Sequence, residues 1–350
     1  MNKTCIAIVL AARVLAQQPH VQNAKLETRA ASGGLDAAFR AILSTQAEPA
    51  WVGYAAPMIR GRQQMCCWSD NERGCFLEPN HGGNISNSAT QTVQLEGSAD
   101  VVVLYRIENH EIQKIRNFTP ECTLDAGGRP FIWLNGVTPA DSIAYLFSFA
   151  HTQAAGTARE QSRRANGAVA AIAFHADAAA DRALDQLADA SLTEQVRLQA
   201  IFWMGAARGK AGFESVSRIL QADPNEKIRE RSVFALTQNK EPGALDAVVR
   251  AAHDDKSARV RGQALFWLAQ RAAEKTAQAA ITDAIANDPE TQVKKRAVFA
   301  LTQMPNGEGV PLLIQLARTN SNPVVRKQAM FWLGQSKDAR ALAYIEEVLK

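Results

Sequence analysis

The chain has 350 residues, 47% of them hydrophobic, and a formal net charge of +4. That is ample material for a large core and the wrong composition for wholesale disorder. Residues 164–350 hold 25 Lys and Arg against 21 Asp and Glu, so the whole excess lies there, too thinly spread for a phosphate-tracking stripe. No nucleic acid is expected as a partner.

The first residues read as a secretory signal. Lys3 supplies a positive start, residues 5–12 an apolar run, and Val14-Leu-Ala16 a small-residue cleavage site, with Arg13 the one misfit. Residues 1–16 are therefore expected to be a signal peptide, and the rest periplasmic or secreted. The apolar run is too short to span a bilayer and no other is longer, so no integral membrane span is expected. In an oxidising compartment Cys66, Cys67, Cys75 and Cys122 form an even set suited to two disulfides. Neighbouring Cys66 and Cys67 are poor partners for each other, which leaves Cys66–Cys75 with Cys67–Cys122, or Cys66–Cys122 with Cys67–Cys75. Zinc held by these thiolates with His81 or His110 is the sharper alternative, but paired C-x₂-C knuckles are missing. No metal and no cofactor are expected.

A small, mostly antiparallel α+β domain is expected over residues 24–136. Residues 24–30 alternate like a strand, Leu35 to Leu43 has helical spacing after Gly33-Gly34, and Ala50 to Tyr54 returns to strand composition before Pro57. The block 60–92 is rich in Gly, Asn and Ser; its Asn84-Ile-Ser86 suits a glycan only in a eukaryotic secretory pathway. Residues 100–107 are almost continuously apolar, as in a strand buried on both faces. Residues 108–110 turn into a half-exposed strand at 111–116, and Cys122 to Leu134 reads as a hairpin about Asp125-Ala-Gly-Gly128.

From Thr138 the chain is expected to be helical to its last residue. Thr138-Pro139-Ala140-Asp141 combines an N-cap, a first-turn proline and an acid at the positive end of the dipole. That helix suits the start of an array. Helices near 158–173 and 181–189 then make one degenerate repeat. Val260-Arg-Gly-Gln-Ala-Leu-Phe-Trp-Leu-Ala-Gln270 follows, and near-copies of it start at Val196, Ile228, Val293 and Val325. The starts lie 32, 32, 33 and 32 residues apart, the mark of a stacked solenoid. Each copy has an apolar stripe at steps 0, +4, +5 and +8, as in Val260, Ala264, Leu265 and Leu268. A second helical segment follows in each, at 214–220, 244–252, 276–286, 310–317 and 341–349. Asp223-Pro224, Asp288-Pro289 and Asn322-Pro323 punctuate the units as expected caps.

The paired helices, the Val-Arg opening and the Asp-Pro junction resemble the HEAT-repeat family over residues 164–350. The resemblance implies a right-handed HEAT-like α-solenoid of about six helix pairs, placed here at 138–350, in a bacterial-type exported protein. It also implies a curved surface for protein partners rather than a catalyst.

Two finer patterns lie inside the period. Step +7 runs Trp203, Ala235, Trp267, Ala300, Trp332, while step +3 runs Gln199, Arg231, Gln263, Arg296, Gln328. Trp203, Arg231, Trp267, Arg296 and Trp332 are thus a candidate binding ladder; the plainer reading is large-against-small packing with arginine over indole. The basic residue at step +1 is expected to pair with acids of a neighbouring repeat, such as Asp255 or Glu290. His175 and His253 are expected at the surface or at helix caps.

H-E-x-x-H, G-x-S-x-G and the phosphate-cradling glycine loop are all missing from the sequence, so no catalytic residue is expected. The expected function is an exported, non-enzymatic scaffold that binds a protein or peptide, of undetermined oligomeric state. The alternative is a hydrolase or carbohydrate-active domain within 24–136, which requires Trp51, Tyr54, Trp68, Trp133 and the loop histidines to converge on one cleft. In the last helix, Leu342, Ile345 and Leu349 are expected to pack on the preceding helix.

Overall fold

The computed structural model describes residues 18–60, 65–66, 68–69, 72–73, 75–78, 99–151, 158–271 and 275–350. The expected signal peptide, Cys67, His81 and Asn84 to Ser86 lie outside the described residues. The chain divides into two compact units, residues 1–180 and 181–350.

In the first unit, short strands β1 (Val21–Gln22), β6 (Cys75–Phe76) and β9 (Leu124–Asp125) form a three-stranded sheet, and β4 (Trp68–Ser69) pairs with β5 (Glu72–Arg73). The main sheet has five strands: β2 (Lys25–Ala30), β10 (Pro130–Asn135), β3 (Ala50–Pro57), β7 (Asp100–Glu108) and β8 (Glu111–Phe118), in that order. Strand β10 runs parallel to both β2 and β3, whereas β3, β7 and β8 are antiparallel neighbours. The sheet is therefore mixed rather than mostly antiparallel. The expected hairpin at 122–134 is not formed, because β9 and β10 belong to different sheets. Asp125 instead accepts the Gly127 amide and an Asn23 side-chain bond, fixing a tight turn between them.

Alternation along the strands makes two cores. Trp51, Val102, Leu104, Phe131 and Trp133 pack toward Cys75 and Leu124 of the small sheet and the adjoining Leu77. There Cys66 is bonded to Cys122, with Cα atoms 5.5 Å apart, one of the two pairings left open by the sequence; Cys75 is disulfide-bonded as well. The opposite face is covered by helices. In α1 (Leu35–Thr45), Phe39 contacts Tyr105 and also Tyr145 of α2 (Pro139–His151), at centroid distances of 4.7 Å. Thr138 caps α2 as expected, through the Asp141 amide. Helix α3 (Ala158–Phe174) packs on β8, and Arg164 donates to the Ile112 carbonyl. Helices α2 and α3 thus close the sheet of the first unit instead of opening the array at 138.

The second unit is a run of helix pairs after α4 (Ala179–Leu187): α5 (Glu194–Ala207) with α6 (Gly209–Ala222), α7 (Glu226–Thr237) with α8 (Pro242–Asp254), and α9 (Ala258–Ala269) with α10 (Lys275–Asn287). Then come α11 (Thr291–Thr302) with α12 (Gly309–Thr319) and α13 (Pro323–Gln335) with α14 (Ala339–Leu349). Among the described residues these are five full pairs preceded by α4, in keeping with the expected six or so, while α3 packs on the sheet. Steps 0, +4, +5 and +8 are buried in α9, as the stripe requires. The first helices of successive pairs pack more closely on one another than the second helices do. Gly205 shows how close: a methyl group there would meet the Ala235 carbonyl oxygen at 2.3 Å.

Candidate functional site: the first-helix face of the array

The junctions between pairs are built from one repeated clamp. Arg229 donates through Nε and Nη2 to Asp255, at 2.9 and 3.0 Å, and Arg261 does the same to Asp288, at 2.7 and 3.0 Å. Arg197 pairs with Asp223. Each arginine also reaches the preceding turn: Arg229 donates to the Asp223 carbonyl and Arg261 to the Asp255 carbonyl, both at 2.9 Å. All three arginines are buried, so the aspartate partners offset a large desolvation cost. Burial, the largest single influence, would raise the Asp288 pKa, but the bonds from Arg261 and the Glu290 amide, with the charges of Arg261 and Lys294, together outweigh it and hold the carboxyl below its ordinary value.

The step +1 expectation is met at Asp255, while Arg261 takes Asp288 and leaves Glu290 to the backbone cap position. Asp223 and Asp288 do not cap the next helix as expected. Each accepts the amide two residues on, from Asn225 and Glu290, and the cap shifts to those residues. Only at Asn322-Pro323 does the junction residue itself cap, accepting the Val324 amide at 2.9 Å. In the fourth unit the clamp is gone: Lys294 donates to the Ala286 carbonyl, and Asn320 stands where the other units have aspartate.

The outer side of the first helices carries a continuous file of aromatic rings. Trp203 touches Phe202 (5.0 Å between centroids), Phe202 stacks on Phe234 (5.8 Å, 7°), and Phe234 meets Trp267 (4.6 Å). Trp267 touches Phe266 (5.1 Å), Phe266 stacks on Phe299 (6.2 Å, 9°), Phe299 meets Trp332 (4.9 Å), and Trp332 touches Phe331 (4.9 Å). Contacts of this kind each contribute about 0.5–1.5 kcal/mol beyond area burial. The rings are half-buried, except that Phe331 is 54% exposed.

This file explains the two-repeat period. A helix with Ala at step +7 stacks its phenylalanine flat on the preceding one; a helix with Trp there fills the gap with an indole. Arg231 lies over phenylalanine rather than indole, with Phe202 at 4.7 Å and Phe234 at 5.4 Å; it donates to the Leu198 carbonyl, and burial lowers its pKa. Arg296 lies across α9, where Gly262 leaves room for its aliphatic stem, and donates to the Arg259 carbonyl. The Nε1 atoms of Trp267 and Trp332 are buried with no acceptor among the described residues, so the stripe offers ring surface rather than indole donors. The phenylalanine at step +6, one per unit (Phe202, Phe234, Phe266, Phe299 and Phe331), is the common member of every contact.

Other expected site residues are placed differently. Trp51 and Trp133 are core residues, and Tyr54 lies in a buried chain with Tyr105 (2.9 Å), Ser142 (2.7 Å) and, from Ser142, His175 (2.8 Å). These aromatic groups face opposite sides of the sheet instead of one cleft. His175 is fully buried, with Nδ1 against the Ala171 carbonyl, and not a surface cap; its polar atoms find partners inside because α3 ends over the sheet. His110 sits in the β7–β8 turn at φ 64°, against the Leu43 carbonyl, and His253 is exposed beside Asp254, which raises its pKa. Among the described residues no group of His, Cys, Asp and Glu could hold a metal, and no helix is long and apolar enough to cross a membrane. Leu342 (59%) and Leu349 (81%) are exposed rather than packed, because Ala341 and Tyr344 occupy the inner side of α14.

Comparison with known proteins agrees with this architecture. The HEAT-repeat family model matches residues 180–269 and 279–350, somewhat under half of the chain, and those residues are HEAT repeats. Among solved structures it is similar to YibA of Escherichia coli, at 24% identity over 49% of this chain and 64% of that one, with a TM-score of 0.33. It is also similar to Kap95p in a structure with RanGDP (16% identity, 60% and 31% covered, TM-score 0.37). A third likeness is to the CpcE–CpcF complex of phycocyanin lyase from a Nostoc species (15% identity, 60% and 93% covered, TM-score 0.30). The chain spans less than two thirds of YibA, and these likenesses bear on the repeat fold alone. No curated protein matches the sequence.

Proposed function

We propose that this protein is an exported, non-enzymatic scaffold that binds a protein or peptide along the first-helix face of its repeats. The observation that carries the reading is the unbroken file of half-exposed rings from Trp203 to Phe331, mounted on the most closely packed layer of helices. Aromatic rings already fixed by their neighbours lose little freedom on binding, so they suit recognition of a partner by apolar contact. The signal-like first residues and the Cys66–Cys122 bond support an oxidising compartment. A photo-cross-linking residue at Gln270, on the first-helix side, tests the reading against the same residue at Thr282 on α10, both exposed. Protein adducts formed in periplasmic or culture extract are expected at Gln270 and not at Thr282; the reverse pattern refutes it.

A further inference from the structure

Charge is distributed unevenly along the array. From Glu194 to Glu290 the sequence holds 14 basic and 13 acidic residues. From Thr291 to Gln335 it holds Lys294, Lys295, Arg296, Arg318, Arg326 and Lys327 against Glu308 alone. Four of these cations are engaged: Lys294 with the Ala286 carbonyl, Arg296 with the Arg259 carbonyl, Arg318 with Glu347, and Arg326 with the Asn320 and Ser321 carbonyls. Among the described residues, Lys295, Arg296 and Lys327 have no acidic partner. They occupy steps +2 and +3, three to four residues before Phe299 and Phe331, and so lie on the aromatic face. The earlier helices neutralise that face: Lys227 pairs with Glu194 at 3.2 Å, Arg259 pairs with Glu230, and Arg231 is laid down over two rings.

We propose that the first-helix face of the last two repeats (Lys295, Arg296, Phe299, Lys327, Phe331 and Trp332) docks an acidic segment of a partner protein. Carboxylates of the segment meet the three cations while an apolar side chain covers the exposed edge of Phe331. The inference rests on the scaffold reading and adds the chemistry of the partner. Charge complementarity selects acid, and the exposed ring beside the cations demands an apolar anchor in the same segment. Single-stranded nucleic acid, the other polyanion with flat apolar groups, fits worse. Its bases need open ring faces, whereas Phe266, Phe299 and Trp332 already lie against one another.

The test uses the full chain and three labelled probes followed by fluorescence anisotropy: a peptide of alternating glutamate and phenylalanine, its lysine-for-glutamate counterpart, and an oligo-dT of similar length. The glutamate peptide is expected to bind, the lysine peptide not, and affinity to fall about tenfold from roughly 0.05 to 0.5 M salt as screening grows. The triple change Lys295→Glu, Arg296→Glu and Lys327→Glu is expected to weaken binding at least about tenfold, against no change for Lys275→Glu on α10. Phe331→Ala, at an exposed position that leaves the fold intact, is expected to weaken the same peptide with its salt dependence preserved. Equal binding of both peptides, tighter binding of oligo-dT, insensitivity to the triple change, or no binding at millimolar peptide each overturn the proposal. Adducts at Gln270 would still stand after such a failure, so the broader scaffold reading is judged separately.

Discussion

The turns after α6, α8 and α10 and the turn after α12 solve one problem in two ways. In the first three, an aspartate closes the turn and is gripped by an arginine that also holds the preceding turn, so a buried ion pair ties each unit to its neighbour. In the last, Asn320 closes the turn without charge, and Lys294 points to a carbonyl instead. The two losses coincide, as electrostatics requires: a buried arginine stripped of its carboxylate is far costlier than a neutral pair. The lesson is that the early repeats consume their charge internally, whereas the last two keep cations available at the surface.

The largest effect should come from breaking a clamp. Asp255→Ala leaves Arg229, only 3% exposed, without its carboxylate and is expected to cost about 3 kcal/mol. Asn320→Ala removes only a neutral turn bond and is expected to cost about 1 kcal/mol. Urea midpoints of the two variants measure the difference, and equal midpoints would dissolve the contrast between the turns.

Much of this was legible beforehand, for a local reason. In a stack whose units touch only their neighbours, each side chain's surroundings recur at a fixed step, so the stripe at Val260, Ala264, Leu265 and Leu268 could be read without any distant contact. The arginine partners followed almost as well, with Asp288 replacing Glu290 because the aspartate must also close the turn. The first unit was less readable because its decisive pairing is not local. Strand β10 inserts between β2 and β3 from roughly 80 to 100 residues away in the chain, and nothing in the composition of residues 122–134 distinguishes that from a hairpin. His175 shows the same limit: its burial depends on α3 lying over the sheet, which periodicity does not report. In the ladder the tryptophans alternate, whereas the phenylalanine at step +6 recurs in every unit and takes part in every contact.

A smaller effect sharpens the comparison on the aromatic side. Trp267→Phe removes a buried N–H that has no acceptor among the described residues, while keeping a ring against Phe234 and Phe266. The expected change in stability is within about 1 kcal/mol, because the lost ring area is offset by relief of the unpaired donor. A loss of several kcal/mol in the same urea measurement would mean that the indole itself, rather than its ring surface, holds the layer together.

The most direct test of the central claim is amide hydrogen exchange of the full chain with and without the glutamate–phenylalanine peptide. Slower exchange confined to α11, α13 and the turns beside them is the result this account predicts. Protection that falls instead on the sheet of residues 25–135, or on the second helices α8 and α10, would contradict it.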